Sequence, residues 1–428
     1  MSRPLLLAIF FAVQFSFAAA QTSPIVAGYV TDSGTPAEFA VNSIRVQCTG
    51  STRITTVSGG NRIPAQKCPQ RSVGEALTVY GKRDKKSGVV TASEIEYTAP
   101  ANQDVEGFAV IDRIVSPTDA SGSITVSADG YSIVIPGTVH PLFEDPLTNQ
   151  TAVTTNLWLK YSGTQHADGV ISARTAVYSL NILKDRERTA NQKVEFDPAS
   201  VRQEDRQGNF SKAFKGIDPK RFPAVHDPQM EQRVETIGEK LIPAYQHDLP
   251  AGDPSKIDFR FQVVDEPKFR DALTLSNGII LVPQQVIKRL QNDSQLATVL
   301  ADNVACALEK QTLRLIPARR AETAGSVAFM VGGAFVPGLG FAGLSMAGAE
   351  AVMRRRDEEQ SGRVSLVLLH DAGFDVDEAP KTWWLLSSKD KPLDHAAMPY
   401  RAKYLYRILG TTWVSRSPGL SEALPTAQ

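Results

Sequence analysis

Apolar and polar residues alternate through much of residues 25–181, as in EFAVNSIRVQ, ALTVYGK, SITVSADGYSIVI and NLWLKYSG. A period of two with Gly, Asp and Asn at the breaks predicts short half-buried strands joined by turns. Beyond about residue 226 the period lengthens. MEQRVETIGEKLIPAYQ spaces its apolar residues as an amphipathic helix does, and QQVIKRLQ and SQLATVLADNVACALEKQ predict two more helices. Between them FRFQVVDEP reads as a strand and ALTLSNGIILVP as a hairpin turning at Asn277-Gly278. Leu296, Val299, Leu300, Val304, Ala307 and Leu308 make one apolar stripe.

The β region repeats itself. VAGYV at Val26 is answered by VEGFAV at Val105, and LTVYGKRDKKSGVVTASEIEY by LWLKYSGTQHADGVISARTAVY. At one offset Tyr80 matches Tyr161, Gly88 matches Gly169, Val89 matches Val170, Ala92 matches Ala173 and Tyr97 matches Tyr178. Each copy suits a small OB-like or related barrel. The copies resemble small β repeats of unknown function in bacterial envelope proteins. Tyr131, Trp158 and Tyr161 are expected to pack barrel cores, with an exposed ligand face as the alternative.

The chain therefore reads as multidomain: an N-terminal all-β part with two OB-like repeats, then a mainly-α α+β domain. The boundaries are 1–21 for a signal peptide, 25–98 and 104–181 for the repeats, and 182–225 for a polar linker. The α+β domain takes 226–412, and 413–428 is a flexible tail. The leader assignment rests on Arg3, the apolar run Leu5 to Phe17 and Ala18-Ala19-Ala20. An uncleaved anchor is the competing reading. Export makes a disulfide between Cys48 and Cys68 the expectation, in a periplasmic or secreted protein. Lys+Arg and Asp+Glu both number 46, so no global field draws nucleic acid. Residues 323–349 carry no charge. Split by Pro337-Gly338, they suit a buried or membrane-touching helical hairpin better than a span.

From Asp227 to Leu409 the chain resembles the HtpX/BepA-type zinc metallopeptidases, a zincin fold. The order of helix, strand FQVVDEP, hairpin and helix agrees. LATVLA matches the family's ELAAVLAHEIAH, and RRDEEQSGRVSLVLLHDAGFDVDEA matches EADRIGIQLLQRAGFDPxxA. His395 and Arg401 keep the spacing of a downstream THPxxxxR element. The resemblance implies two His zinc ligands at i and i+4, a Glu base and a third Glu ligand. Those positions hold Asp302, Cys306, Asn303 and Gln360, and the Asp of EAD falls on Gly362. An amide at Asn303 cannot take a proton from metal-bound water near neutral pH. Gln360 is a poor ligand beside a carboxylate.

No catalytic or metal residue of the family is thus intact, and no cofactor is expected. Asn303 should find a hydrogen-bond partner in the apolar stripe. Cys306 reads as an inert buried thiol, and His395 and His370 as structural rather than catalytic. No GxSxG elbow, Walker A loop or GxGxxG after a strand is present, and the Gly-rich GGAFVPGLGFAG is too apolar and lacks the Lys of a phosphate loop. The resulting expectation is a non-catalytic envelope protein that binds or scaffolds a polypeptide or membrane-associated partner. One alternative is an active metalloendopeptidase using zinc on Asp302, Cys306 and His395. Another is an envelope-binding module acting through the β repeats.

Overall fold

The computed structural model describes residues 23–58, 61–65, 67–191, 223–267, 269–314 and 346–413. The predicted leader, most of 323–349 and nearly all of the tail lie outside the described residues.

The first β unit contains β1 (Val26–Thr35), β2 (Glu38–Val41), β3 (Ile44–Gln47), β4 (Arg53–Ser58), β5 (Asn61–Ala65), β6 (Ala76–Arg83) and β7 (Val90–Thr98). β1, β2, β3, β7 and β6 close into a ring, sealed by parallel pairing of Val46 with Val90. β4 and β5 form a hairpin beside β7. Cys48 and Cys68, bonded to each other, clamp the base of that excursion with their Cα atoms 6.3 Å apart.

The second unit contains β8 (Gln103–Ser116), β9 (Ile124–Ala128), β10 (Tyr131–Ile135), β11 (Leu142–Phe143), β12 (Leu157–Gln165) and β13 (Ile171–Leu180). Its ring runs β8-β9-β10-β13-β12, the same order as in the first, sealed where Ile133 pairs with Ile171. Both are small closed barrels of five strands. Each carries a bulge at the same place, with Ser93 extra opposite Tyr80/Gly81 and Arg174 extra opposite Ser162/Gly163. A Cβ on Gly81 or Gly163 would lie 2.1 Å from Thr91 O or 2.3 Å from Ser172 O. Glycine is required there because the bulged partner comes that close. The pairing sets Tyr161 against Ala176 as it sets Val79 against Ile95. In register, then, Tyr161 corresponds to Val79 rather than to Tyr80. Both are core residues.

The region read as a polar linker carries a short helix near its start, α1 (Asp185–Asn191). The helical unit follows with α2 (Pro228–Leu241), N-capped by Asp227, whose carboxylate accepts from the amides of Gln229 and Met230. Next come α3 (Ala244–Asp248), β14 (Arg260–Val264), β15 (Leu273–Thr274) and β16 (Ile279–Pro283). The sheet order is β14-β16-β15, with the expected hairpin between β15 and β16. α4 (Gln284–Arg289), α5 (Asp293–Leu308), α6 (Met346–Asp371), α7 (Glu378–Ser387) and α8 (Tyr400–Ile408) complete it. The AGFD turn stops α6 with a Schellman pair, Gly373 N–H to His370 O (3.0 Å) and Phe374 N–H to Leu369 O (2.9 Å).

α5 is the centre of this unit. It packs against α2, α6 and α7, and its buried residues lie on nearly every face, well beyond one stripe. Both barrels lean on the unit. Tyr29 of the first stacks on Tyr406, ring centroids 6.1 Å apart. From the second, Val110 and Trp158 join the helical core. The Asp129-Gly130 tip of the β9–β10 hairpin has φ of 52° and 70°, the signature of a type I′ turn. It presses so close to α6 that a Cβ on Gly130 would lie 2.7 Å from the carbonyl carbon of Arg363.

Candidate functional site

α5 carries Asp302, Asn303 and Cys306, and α6 lies alongside it. Asp302 is only 4% exposed. A carboxylate so placed needs a cation or several donors. It has both. Arg401, from the first turn of α8, pairs with its Oδ2 through Nη2, and the Ser361 hydroxyl donates to Oδ1 at 3.0 Å. The other arm of Arg401 reaches Asp271 Oδ2 at 3.0 Å, and its guanidinium lies 3.3 Å from the centre of the Trp383 ring. Burial and the neighbouring Asp302 charge lift the Asp271 carboxyl to about 6, against the pull of Arg401.

The remaining groups are equally committed. The Asn303 amide donates to Val299 O (2.8 Å) and accepts from the Thr274 hydroxyl (2.7 Å). The partner foreseen for it in the stripe is thus on the β15 strand. The Cys306 thiol donates to Gln311 Oε1 at 3.2 Å and sits 4.0 Å from Asp302 Oδ2. Burial, then the Asp302 charge, push its pKa well up. Gln360 Nε2 donates to Glu309 Oε2 (2.6 Å) and to Phe108 O of the second barrel (2.7 Å). His395 lies on a short 3-10 turn with its side chain 69% exposed, its nearest charged neighbour being Asp394 at 3.9 Å. His370 is also exposed, bonded to Asp371 at 3.2 Å.

Asp302 and Cys306 are therefore close together, while Gln360 bonds elsewhere and the His395 side chain is exposed beside Asp394. Among the described residues no group of three or more His, Cys, Asp or Glu is placed to hold a metal ion. As a zinc site the donor set fits poorly. Its one buried carboxylate is bonded to a guanidinium, its thiol is held protonated, and its amide is turned to other acceptors. Iodoacetamide at neutral pH is accordingly expected to leave Cys306 unlabelled in the folded protein and to label it after denaturation. Cys306 is part-buried rather than fully buried as the sequence suggested, so its protection rests on the held proton and the Gln311 bond. Mass spectrometry reads the outcome, and rapid labelling of the folded chain would contradict that assignment.

No family model matches the chain. It is similar to the β-barrel assembly-enhancing protease of Yersinia pestis. The two are 26% identical over 171 residues, covering 37% of this chain and 33% of that protease. A putative β-barrel assembly-enhancing protease of Vibrio cholerae is 20% identical over 176 residues, 39% of this chain and 35% of its own length. The chain thus spans about a third of the length of the curated relatives it matches. A part of it resembles these proteases, the same kind of protein to which LATVLA and AGFD point.

Sequence reasoning passed over several residues of the cluster. Asp271, Ser361 and Trp383 come from three separate segments. Ser361 lies within RRDEEQSGRVSLV, but of these three and Arg401 only Arg401 was singled out. Asp271 opens DALTLSNGIIL, where an acidic residue ahead of an apolar hairpin was the available signal. Glu309 and Asp129, both buried, gave none that separates them from surface charges.

Proposed function

We propose that the helical unit is a metallopeptidase-like module without peptidase catalysis, acting in the cell envelope by binding or scaffolding a polypeptide or membrane-associated partner. The observation that carries this reading is the Arg401–Asp302 pair. The position expected to bind metal carries a buried anion already matched by an internal cation. Asn303 adds to it, since an amide hydrogen-bonded on both sides has no means of accepting a proton from water. The similarity to β-barrel assembly-enhancing proteases and the Cys48–Cys68 bond support an extracytoplasmic setting. The leader at 1–21 is part of the same proposal.

The second reading, an active metalloendopeptidase with unusual ligands, has Asp302 and Cys306 in its favour, 4.0 Å apart. It needs His395 or Gln360 to swing in. Elemental mass spectrometry on the chain, purified without chelator or affinity metal, decides between the two. The expected result is less than a tenth of a zinc per chain, roughly the level of contamination, with no cleavage of unfolded polypeptide. About one zinc per chain, lost in Cys306→Ala together with chelator-sensitive cleavage, would overturn the proposal.

A further inference from the structure

β8 is longer than the partner that flanks it. β12 pairs with it from Gln103 to Val110, but β9 joins only from Ile111 onward. Among the described residues, the outer edge of residues 103–110 therefore has no strand beside it. Such an edge presents backbone donors and acceptors on every second residue. In this protein the helical unit meets them with side chains. Arg356 donates to Glu106 O at 3.3 Å and Gln360 to Phe108 O at 2.7 Å. The backbone N–H of Val110 faces the Glu309 carboxyl and favours its charged form. Residues 106, 108 and 110 keep the period of two expected of one strand edge. Arg356 and Gln360 are four apart on α6 and share a face. Just beyond, Arg363 binds the Asp129 carbonyl at 3.0 Å and both its carboxylate oxygens at 2.7 Å.

Gln360 is chemically suited to this place. Its NH2 group offers two hydrogens, and they meet two acceptors, Phe108 O and Glu309 Oε2. A carboxylate there would offer none and would add a charge beside Glu309, which is buried with its carboxyl pushed well above the usual range.

We infer that Arg356, Gln360 and Glu309 stand in for the missing strand along β8, so that Gln360 docks the second barrel rather than serving a metal. The docking geometry holds whatever the fate of catalysis. Only the comparison with a ligand position rests on the reading above.

The test is Gln360→Glu in the full chain, with Gln360→Met as a companion that removes the donors without adding charge. Hydrogen exchange over residues 103–110, melting temperature and zinc content after incubation with zinc are measured. Gln360→Glu should exchange at least about tenfold faster at Val110 and melt about 5–10 °C lower, without binding zinc. Gln360→Met should loosen the same segment to a lesser extent, and it carries the test alone if the first variant does not fold. Unchanged exchange along β8 in the folded variants would overturn the inference. So would one zinc per chain in Gln360→Glu at an unchanged melting temperature, because the side chain would then face the α5 ligands. Zinc on the wild-type chain would instead overturn the non-catalytic reading and leave the docking role standing.

Discussion

Arg401→Met is expected to destabilise the protein by about 3–5 kcal/mol, the range for removing one partner of a buried ion pair. The substitution strands Asp302 inside α5, with only the Ser361 hydroxyl and the nearby thiol for company. It also removes the cation stacked on Trp383. The deficit should depend on pH in a definite direction. A carboxylate buried without its cation costs more in the charged form than in the neutral one, so acid relieves the deficit and neutrality restores it. Denaturant melts at acid and neutral pH should show the gap to wild type widening toward neutrality. Arg401→Met combined with Asp302→Asn should recover most of the loss, since no buried charge then lacks a partner. A single variant as stable as wild type at neutral pH would mean the pair contributes nothing to the core.

Arg363→Met should cost a comparable amount, about 3–5 kcal/mol, but at a different place. Asp129 is 3% exposed and Arg363 11%, and they meet in a two-pronged contact across the joint between barrel and helix. Tyr161 donates to the same carboxylate at 2.9 Å, Tyr404 touches the guanidinium, and the Tyr131 ring lies 4.7 Å from it. Losing the cation leaves the carboxylate at the hairpin tip facing a closed interface. Trp158 stacks on Phe108 at 4.5 Å within that joint, and the fluorescence removed by Trp158→Phe separates its signal from those of Trp383, Trp384 and Trp413. An early fluorescence change in denaturant, ahead of the far-ultraviolet transition, is the expected signature. Coincident transitions at the wild-type midpoint would refute the role. Arg363→Met with Asp129→Asn should again recover most of the stability.

The strand and helix order was legible because it is written in local periodicity. β12, α2, α5 and the Asn277-Gly278 hairpin follow from alternation, helical spacing and turn residues alone. The true correspondence of Tyr161 was hidden because the β6–β7 hairpin is one residue longer than the β12–β13 hairpin, eleven positions from Gly81 to Ala92 against ten from Gly163 to Ala173. α1 was missed for its polarity. Its helix is short and owes something to a local pair, Arg188 with Asp185 at 2.9 Å. Trp158 was expected inside its barrel, yet it belongs to the helical core, a partition that no strand pattern encodes. The residues at Asp302, Asn303, Cys306 and Gln360 could be set against the resemblance from sequence alone. What each side chain does instead depends on partners from distant elements: Arg401, Thr274, Gln311 and Phe108.

The helical unit and the two barrels are joined from the far end of the chain. Asp129 waits for Arg363, Asp302 for Arg401, and Gly74 of the first barrel for Gly410, whose backbone nitrogen would lie 2.4 Å from a Cβ there. A nascent or truncated chain that stops before α8 holds α5 with an acid and no counter-charge, so the helix resists burial. Each barrel can close on its own strands as it emerges. Their settling into one body is postponed until the last helices arrive, which makes the order of synthesis part of how this protein is assembled.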